Sequence, residues 1–358
     1  LADKSPQNYR ELNADIARIR RLFDLSETPE AYRREVAGSS FGYLADILLR
    51  LPALEPDSIP GEAASAPASW RVPDTELTII RIDEGERAGE YLFSAGTLQR
   101  LPEFHALIIG EPPLRESTVN HWRAAQVDIT GPAFRFGIAD RMPPGLRGLV
   151  LGSPLWKVLF GLVATMLVAA IIYGWHLLVR LIATRIGDRE VANYALRLAK
   201  PLLAAALVLW FQKFLAVQLN LSGPAATMAD GFLVLALWAA AAWAAVLAIH
   251  LLTAIIIKSP LIPEQSYDAN LLRIVASLGS VAAAIACALF GANAIGIPAL
   301  GLLASVGVGG IALALAAKST VENLIAGFEI FADAPFKVGD FIRYGGEAGT
   351  VEGIGPRS

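Results

Sequence analysis

Three ionisable side chains lie inside long apolar stretches of the sequence, namely His176, Lys213 and His250. Ionisable residues in hydrocarbon are costly, and those that persist often relay protons or couple to ions. All three lie nearer an end of their stretch than its middle, and Trp175 and Trp210 are close by. This placement favours side chains that extend to the lipid headgroups. The apolar stretches therefore give no strong indication of ion-coupling machinery.

Residues that bind metals or perform catalysis are few and scattered. Cys287, the single cysteine, lies in an apolar stretch, so neither a disulfide framework nor a cysteine metal site is available. His105 and His121 have no cysteine or histidine at metal-binding spacing, and we expect both at the surface. The motif GVGGIA lies within an apolar stretch and does not follow a strand, so it does not predict nucleotide binding. We expect no enzymatic activity, cofactor, metal or nucleic-acid partner.

A different functional pattern runs through residues 301–318. An α-helix turns by about 100° per residue, so residues three and four apart share a face. One narrow face, the aliphatic stripe, consists of Ala304, Val308, Ile311 and Leu315, with Lys318 just beyond it. Small residues occupy both flanks of this stripe: Gly307, Gly310, Ala314 and Ala317 on one side, and Ser305, Gly309, Ala312 and Ala316 on the other.

Two flanks of small residues favour a ring of helices. Small residues let helices approach closely in lipid, and a simple helix pair needs one such flank. In a closed ring each helix packs against a left and a right neighbour through different surfaces, and the aliphatic stripe faces the axis. Ile311 and Leu315 would then form stacked apolar collars that hold a pore shut by dewetting. The alternative is a buried central helix of a monomeric bundle.

Composition indicates that this helix belongs to a membrane domain preceded by a water-soluble domain. With 54% hydrophobic residues in a chain of 358, and a mean hydropathy of +0.49, the protein is too apolar for an ordinary soluble protein. Charged residues concentrate in residues 1–150, which we assign to a water-soluble domain. Stretches of about 20 apolar residues can each cross a bilayer as a helix. We predict membrane spans over residues 155–182, 200–221, 231–257, 271–291 and 298–317.

The linkers between these spans alternate in charge. Basic residues from Arg180 to Lys200 border the first linker, whereas the second, SGPAATMAD, has none. Lys258 and Arg273 flank the third linker, and the fourth, GANAIGIP, has none. Lys and Arg accumulate on the cytoplasmic side of membranes. The alternation therefore predicts that residues 1–150 lie outside the cytoplasm and that the C-terminus lies inside it.

The sequence changes character after Lys318. The motif STVE has the form of a helix-capping box, in which Ser319 caps a new helix and Glu322 reaches back to it. This signal predicts a sharp kink between Lys318 and Thr320 and an amphipathic cytoplasmic half-helix over residues 319–334. The alternative is that the hydroxyl groups bond back to the preceding turn with only a bend.

The remaining segments predict mixed structure at both ends of the chain. VGDFIRYGGEAGTVEGIG predicts two strands joined at Gly345-Gly346, and we assign residues 336–358 to the beginning of a truncated cytoplasmic β-domain. In the N-terminal domain, residues 8–23 carry a helical apolar stripe and a second helix is expected from Thr28 to Leu51. TELTIIRIDEGERAGEYLFSA predicts a β-hairpin, which makes this domain α+β.

The run GVGGIALALAAKSTVENLIAGFEIFADAPFKVGDFIRYGGEAGTVEGIG resembles the small-conductance mechanosensitive channel family. The small-residue helix, NLIAG, PFKVGD and GTVEGI occur together at the expected spacing, and the resemblance covers about residues 298–355. It implies a pore helix, a kink, a half-helix and the first strands of an Sm-like β-barrel, in this order. It also implies that Ile311 and Leu315 form the two constriction rings of the family and that Asn323 and Gly327 occupy half-helix positions.

The resemblance further implies a homo-oligomeric channel, heptameric in this family, in the bacterial inner membrane with its N-terminal domain in the periplasm. Membrane tension, transmitted by lipids, would open it and release ions and small osmolytes on hypo-osmotic shock. The chain departs from the simplest members by two extra spans, a large N-terminal domain, and Lys318-Ser319 in place of a Gln-Gly pair. We interpret the extra spans, residues 155–182 and 200–221, as peripheral paddles in contact with lipid.

Two other functions remain open from the sequence. A secondary transporter is also polytopic and rich in glycine, although transporters usually show paired interrupted spans and polar residues at the midplane. A membrane-anchored sensor that signals through the N-terminal domain would leave the two small-residue flanks of the fifth span unexplained.

Overall fold

The computed structural model of the chain describes residues 18–19, 21–55, 59–60, 67–117, 119–134, 138–186, 190–258, 267–333 and 335–353. They belong to two compact units, Leu1–Ile297 and Pro298–Ser358. The helix predicted over residues 8–23 lies almost entirely outside the described residues.

The N-terminal domain is α+β, as predicted. A 3₁₀ turn, Glu30–Tyr32, leads into α1, and an antiparallel sheet of order β1-β2-β3 follows. The elements are α1 (Arg33–Arg50), β1 (Ser69–Arg71), β2 (Thr78–Arg81), β3 (Tyr91–Phe93), α2 (Ala95–Ile108), α3 (Trp122–Asp128), α4 (Ile138–Arg141) and α5 (Pro144–Arg147). The β2–β3 pairing confirms the predicted hairpin, and β1 is an additional strand.

Helices α1 and α2 cover one face of this sheet. Their buried apolar side chains meet those of the neighbouring loops in one cluster, against which Trp70 of β1 and Phe93 of β3 pack: Phe23, Ala37, Leu44, Ile47, Val72, Leu77, Leu98 and Leu101. Each large aliphatic side chain of this kind contributes roughly 1.5–3 kcal/mol when it is removed from water. Ser94 begins α2 because its Oγ accepts a hydrogen bond from the backbone N–H of Thr97 at 3.2 Å.

Asp46, in α1, joins the three larger helices of the domain. Its carboxylate is 1% exposed and accepts hydrogen bonds from the backbone N–H groups of Trp122, at 2.6 Å, and Arg123, at 3.1 Å, where α3 begins. His105 of α2 contacts the same carboxylate, with Nε2 at 3.1 Å from Oδ2. The expectation of a surface His105 was therefore wrong, because the ring is held between Asp46 and Tyr43. His121 is exposed, as expected.

Replacement of Asp46 by Ala should destabilise the N-terminal domain. The substitution leaves two buried N–H groups of α3 without their acceptor, at a cost of about 2–3 kcal/mol. Urea unfolding of the solubilised full-length protein, followed by tryptophan fluorescence, measures the loss. Asp83→Ala is the matched control, because Asp83 is 72% exposed in its ion pair with Arg81. Equal stability of the two variants would contradict the role of Asp46.

Five long apolar helices follow the N-terminal domain, which confirms the predicted number of membrane spans. Between the domain and the first of them lies a small hairpin of β4 (Leu149–Val150) and β5 (Ser153–Pro154). The long helices are α6 (Leu155–Ile186), α7 (Glu190–Phe214, continued by a π-helical turn, Leu215–Leu219), α8 (Pro224–Ile257), α9 (Tyr267–Ala294) and α10 (Ala299–Asp333). In the first unit, α8 packs against both α7 and α9, and α6 packs against α7.

The two histidines of the spans lie beside aromatic rings. The His176 ring is 6.4 Å from Trp243, and His250 stacks on Tyr194 at 5.9 Å. Lys213 is exposed. In the described part of the chain, no group of three or more His, Cys, Asp or Glu residues is arranged to hold a metal ion.

Lys157, in the first turn of α6, fastens the N-terminal domain to the membrane helices. Its side chain is fully buried, and Nζ donates to the carbonyl oxygens of Val127 at 2.7 Å, Ile129 at 2.8 Å and Asn220 at 3.2 Å. An ammonium group has three hydrogens, so each has an acceptor. Asn220 completes the contact with a left-handed backbone, φ 48°, and donates its side-chain amide to Gln126. A buried charge is tolerated when its donors are satisfied in this way.

A second set of contacts joins α1 to the start of α8. Glu35 Oε1 accepts a hydrogen bond of 2.6 Å from the N–H of Gly223, and Arg34 pairs with Asp230 at 3.5 Å. Gly223 has φ 66°, which favours glycine, and it packs on Gly152 of the β4–β5 turn. Burial raises the pKa of Glu35 to about 7, against the opposing effects of the Gly223 N–H and of Arg123 and Arg34.

The junction should weaken as pH rises. The Glu35 carboxyl has a pKa near 4.5 in water and about 7 in the fold, so the folded protein binds the additional proton between these values. The free energy of unfolding should therefore fall between pH 4.5 and 7, by on the order of 3 kcal/mol. Urea unfolding at pH 5, 6, 7 and 8 measures this slope. Glu35→Gln should flatten it, whereas the exposed Glu27→Gln should retain it; an unchanged slope in Glu35→Gln would contradict the assignment.

Candidate pore helix

Helix α10 is a single element of 35 residues, Ala299–Asp333. At 1.5 Å per residue its length is about 52 Å, which exceeds the roughly 30 Å hydrocarbon core of a bilayer. Its apolar part, Ala299–Gly327, is long enough to cross, and the polar remainder must extend beyond the hydrocarbon. Because the helix is regular, the aliphatic stripe and its two flanks lie on the faces that the 100° spacing predicts.

The apolar surface of α10 is uncovered in the single chain. None of its most apolar window is buried, and Val308, Ile311 and Leu315 are 70%, 64% and 70% exposed. Every residue from Leu303 to Ala316 is exposed. A surface of this kind, with large aliphatic side chains in a row, marks a membrane or protein contact.

Gly307, Gly309 and Gly310 of α10 pack against no other part of the described chain. A Cβ atom added at Gly307, Gly309 or Gly310 would meet nothing within 4 Å. Glycine in a helix interior costs about 1 kcal/mol relative to alanine. Three glycines within four positions therefore need a reason outside the single chain, and close approach by another helix is the usual one.

The predicted break after Lys318 is absent. The helix continues through Lys318, Ser319 and Thr320, and the segment predicted as a separate half-helix is the end of α10. Glu322 does not reach back to a cap at Ser319; its Oε1 lies 3.7 Å from the Lys318 Nζ, one turn earlier. An i,i+4 ion pair stabilises a continuous helix, by about 0.3–0.5 kcal/mol. Asn323 is exposed and Gly327 half-buried on this final part.

A hairpin follows α10, as predicted. Strands β6 (Phe341–Tyr344) and β7 (Glu347–Thr350) pair antiparallel around Gly345 and Gly346. Both glycines have positive φ, 59° and 93°, which is the requirement of a two-residue type I′ turn. Asp340 accepts a hydrogen bond of 2.7 Å from the Lys337 N–H and so fixes the entry to β6. Two strands leave open edges, and a stable sheet needs further strands.

Comparison with known proteins concerns this same C-terminal region. The family described as mechanosensitive ion channel, beta-domain, matches residues 319–358. The C-terminal region of this chain is therefore that of the small-conductance mechanosensitive channel family. The match confirms the resemblance that the sequence motifs indicated, and the β6–β7 hairpin lies within the matched residues.

Curated relatives match this chain over short segments. The large-conductance mechanosensitive channel MscMJLR of Methanocaldococcus jannaschii is 54% identical over 57 residues, 16% of each chain. The small-conductance channel MscMJ of the same organism is 47% identical over 66 residues, 18% of this chain and 19% of that one. A small-conductance channel of Caldanaerobacter subterraneus is 43% identical over 56 residues, 16% and 20%. The chain thus aligns with a fifth or less of each relative, and no solved structure matches it.

Sequence reasoning missed the residues that join the N-terminal domain to the spans. Lys157 and Asp230 were available as signals, since each is a charged residue within two turns of the start of an apolar helix. Their partners could not be found from the sequence, because Val127 and Arg34 lie far away along the chain.

The role of the small-residue flanks can be tested by measuring how the protein assembles. Gly310→Leu adds a side chain that meets nothing in the single chain, so a monomer should tolerate it. In a ring it should clash with the neighbouring helix, at about 1–3 kcal/mol per interface, which corresponds to roughly 5- to 150-fold weaker association. Crosslinking in membranes and native-size electrophoresis measure the oligomer.

Leu313→Phe is the matched control, because Leu313 lies on the side of α10 opposite the aliphatic stripe and is 71% exposed. Normal assembly of Gly310→Leu would contradict ring packing through this flank.

Proposed function

We propose that this protein is a mechanosensitive channel that opens under membrane tension and passes ions and small osmolytes on hypo-osmotic shock. The observation that carries the proposal is the juxtaposition, along one continuous segment, of the uncovered helix α10 and a mechanosensitive-channel β-domain. Relatives named as mechanosensitive channels, over matching segments of 56–66 residues, support the same activity.

The pore consists of copies of α10 around a central axis, seven if the number follows the family resemblance. In this arrangement the small-residue flanks meet between neighbours and the aliphatic stripe faces water. Ile311 and Leu315 lie one turn apart on a regular helix, so each forms a ring of its own. A narrow passage lined by such rings excludes water and blocks ions without a charged plug. Ala304 and Val308 line the path on one side of the gate and Lys318 on the other.

Membrane tension opens the channel because the open state occupies a larger area in the plane of the membrane. A stretched membrane does work on any state that occupies more area in the plane, so tension shifts the population toward the wider state as a ligand would. Force reaches the protein through side chains in contact with lipid. Helix α6 is suited to this role, since Val163, Met166 and Leu167 are 66%, 71% and 62% exposed. We assign α6 and α7 to the peripheral paddles on this basis.

The orientation follows the distribution of basic residues. Arg185 and Lys200 lie where α6 ends and early in α7, at the end of the spans away from the N-terminal domain. The opposite connection, residues 220–223, is NLSG and has no charge. The positive-inside rule therefore puts the N-terminal domain in the periplasm and the β-domain in the cytoplasm of a bacterial inner membrane.

A secondary transporter is a weaker alternative. Discontinuous helices form the substrate sites of many transporters, whereas α10 is uninterrupted over Ala299–Asp333. A sensor that signals only through its N-terminal domain gives no reason for three exposed glycines in α10. Both alternatives predict that the purified oligomer carries no tension-dependent current.

The gate can be tested by patch recording of the reconstituted full-length protein under suction. Ile311→Ser and Leu315→Ser should each lower the opening tension, because a polar ring is wetted more easily. The closed state loses on the order of 1–2 kcal/mol of apolar contact per copy. Leu313→Ser is the control on the opposite face of α10, and it should leave the threshold within the scatter of the wild type. A threshold that is unchanged in both stripe variants would exclude them as the gate.

A further inference from the structure

A cavity of about 680 Å³ lies between the N-terminal domain and helices α7, α8 and α9. Its roof comes from the 3₁₀ turn and the start of α1, with Glu30 and Arg34, and its walls come from the three membrane helices. Cavities that bind small ligands have volumes of about 300–1,000 Å³. None of these residues belongs to the proposed pore.

The end of the cavity next to the domain is charged. It carries two basic residues, Arg34 and Lys213, and two acidic residues, Glu30 and Asp230. Arg34 pairs with Asp230, whose side chain is 5% exposed. Within the described part of the chain Lys213 forms no ion pair, and the residue is exposed. Lys213 therefore gives the cavity a positive charge that forms no ion pair with an acidic side chain of the described residues.

The other end is apolar. Trp238 and Phe290 stack there with ring centroids 5.7 Å apart, and Leu209 lies beside them. Asp230 and Trp238 are eight residues apart on α8, which corresponds to about 12 Å along the helix axis. The cavity is thus a slot that runs parallel to the spans, charged at one end and apolar at the other.

The slot opens toward the bilayer. Leu209 and Phe290 line it and are also 51% and 62% exposed. Its charged end lies close to Leu219 and Pro224, where two apolar helices, α7 with its π-helical turn and α8, end and begin on the side of the N-terminal domain. Helices that span a bilayer end near its surface, so this end of the slot corresponds to the headgroup level. A molecule in the bilayer can enter sideways, with its polar part at the surface and its apolar part at depth.

We propose that this slot binds one phospholipid from the leaflet on the side of the N-terminal domain. The phosphate lies against Lys213 and Arg34, the amine of a zwitterionic headgroup lies against Glu30, and one acyl chain lies along Leu209, Trp238 and Phe290. Two charges of each sign complement a zwitterion better than an anion. A soluble phosphate would leave the apolar half of the slot in contact with water, which is unfavourable.

Native mass spectrometry of the purified full-length protein, titrated with dioleoyl phosphatidylethanolamine in detergent, tests this site. Val234→Trp places an indole in the slot, since Val234 lines it. Lys213→Gln removes the unpaired cation. Each should weaken the tightest lipid-binding event at least fivefold. Lipid binding is measured without current, so the result is independent of the proposed channel activity.

Two variants serve as matched controls. Leu235→Trp adds the same ring one residue along α8, at a side chain 44% exposed that does not line the slot. Lys200→Gln removes a charge from the same helix as Lys213, far from the cavity. Both should bind lipid within twofold of the wild type. Equal affinity in all four variants would overturn the site.

Two further ligands test the phosphate contact and the acyl-chain contact separately. Dioleoylglycerol, which lacks the phosphate, should bind at least fivefold more weakly than the phospholipid. Inorganic phosphate should not displace the lipid. Equal binding of dioleoylglycerol would overturn the role of Lys213, and displacement by inorganic phosphate would overturn the acyl-chain contact.

Discussion

Hydrocarbon offers no hydrogen-bond partner, and this constraint decides where the polar groups of the protein lie. Every span is a helix, which satisfies its own backbone. The buried charged side chains described in these helices, Lys157 and Asp230, lie near the end that meets the N-terminal domain. There the domain supplies what lipid cannot: carbonyl oxygens for Lys157 and the guanidinium of Arg34 for Asp230. The N-terminal domain therefore solvates the two buried charges of the spans, and these contacts hold the domain against the membrane helices.

The same constraint distinguishes α10 from the other spans. Helices α6 to α9 expose large side chains to lipid but also pack on one another, and three of their glycines, Gly161, Gly231 and Gly291, lie against side chains of other elements, as Gly291 lies against Trp238. Helix α10 has small residues on two faces and nothing against them. A helix that faced only lipid would gain nothing from glycine, because large side chains make more dispersion contact with acyl chains. The sequence of α10 is thus adapted to helix contacts that one chain does not contain.

What could be predicted from the sequence was local. Hydropathy over about 20 residues identifies a span without knowledge of its neighbours, and Gly345-Gly346 defines a turn by backbone sterics alone. His105 was misplaced because its partner, Asp46, is 59 residues away and has no motif around it. The separate helix predicted to begin at Ser319 was wrong for a different reason. The capping motif at Ser319 is present, but it competes with the alanine-rich helix before it and with the Lys318–Glu322 ion pair. One continuous helix also makes more backbone hydrogen bonds than two shorter helices.

Because α10 is continuous, its β-domain end and the residues of the proposed gate, Ile311 and Leu315, lie on one helix. A break at Ser319 would have let the β-domain turn without moving Ile311 and Leu315. A regular helix transmits rotation along its length, so the aliphatic stripe and Glu322 turn together. Each residue is about 100° from the next, and a rotation of that size exchanges the aliphatic stripe for a small-residue flank along the whole wall. In the proposed channel, a rotation of about 100° would therefore bring glycine and alanine to the axis in place of Ile311 and Leu315, which would widen the path and remove its apolar collars in one motion.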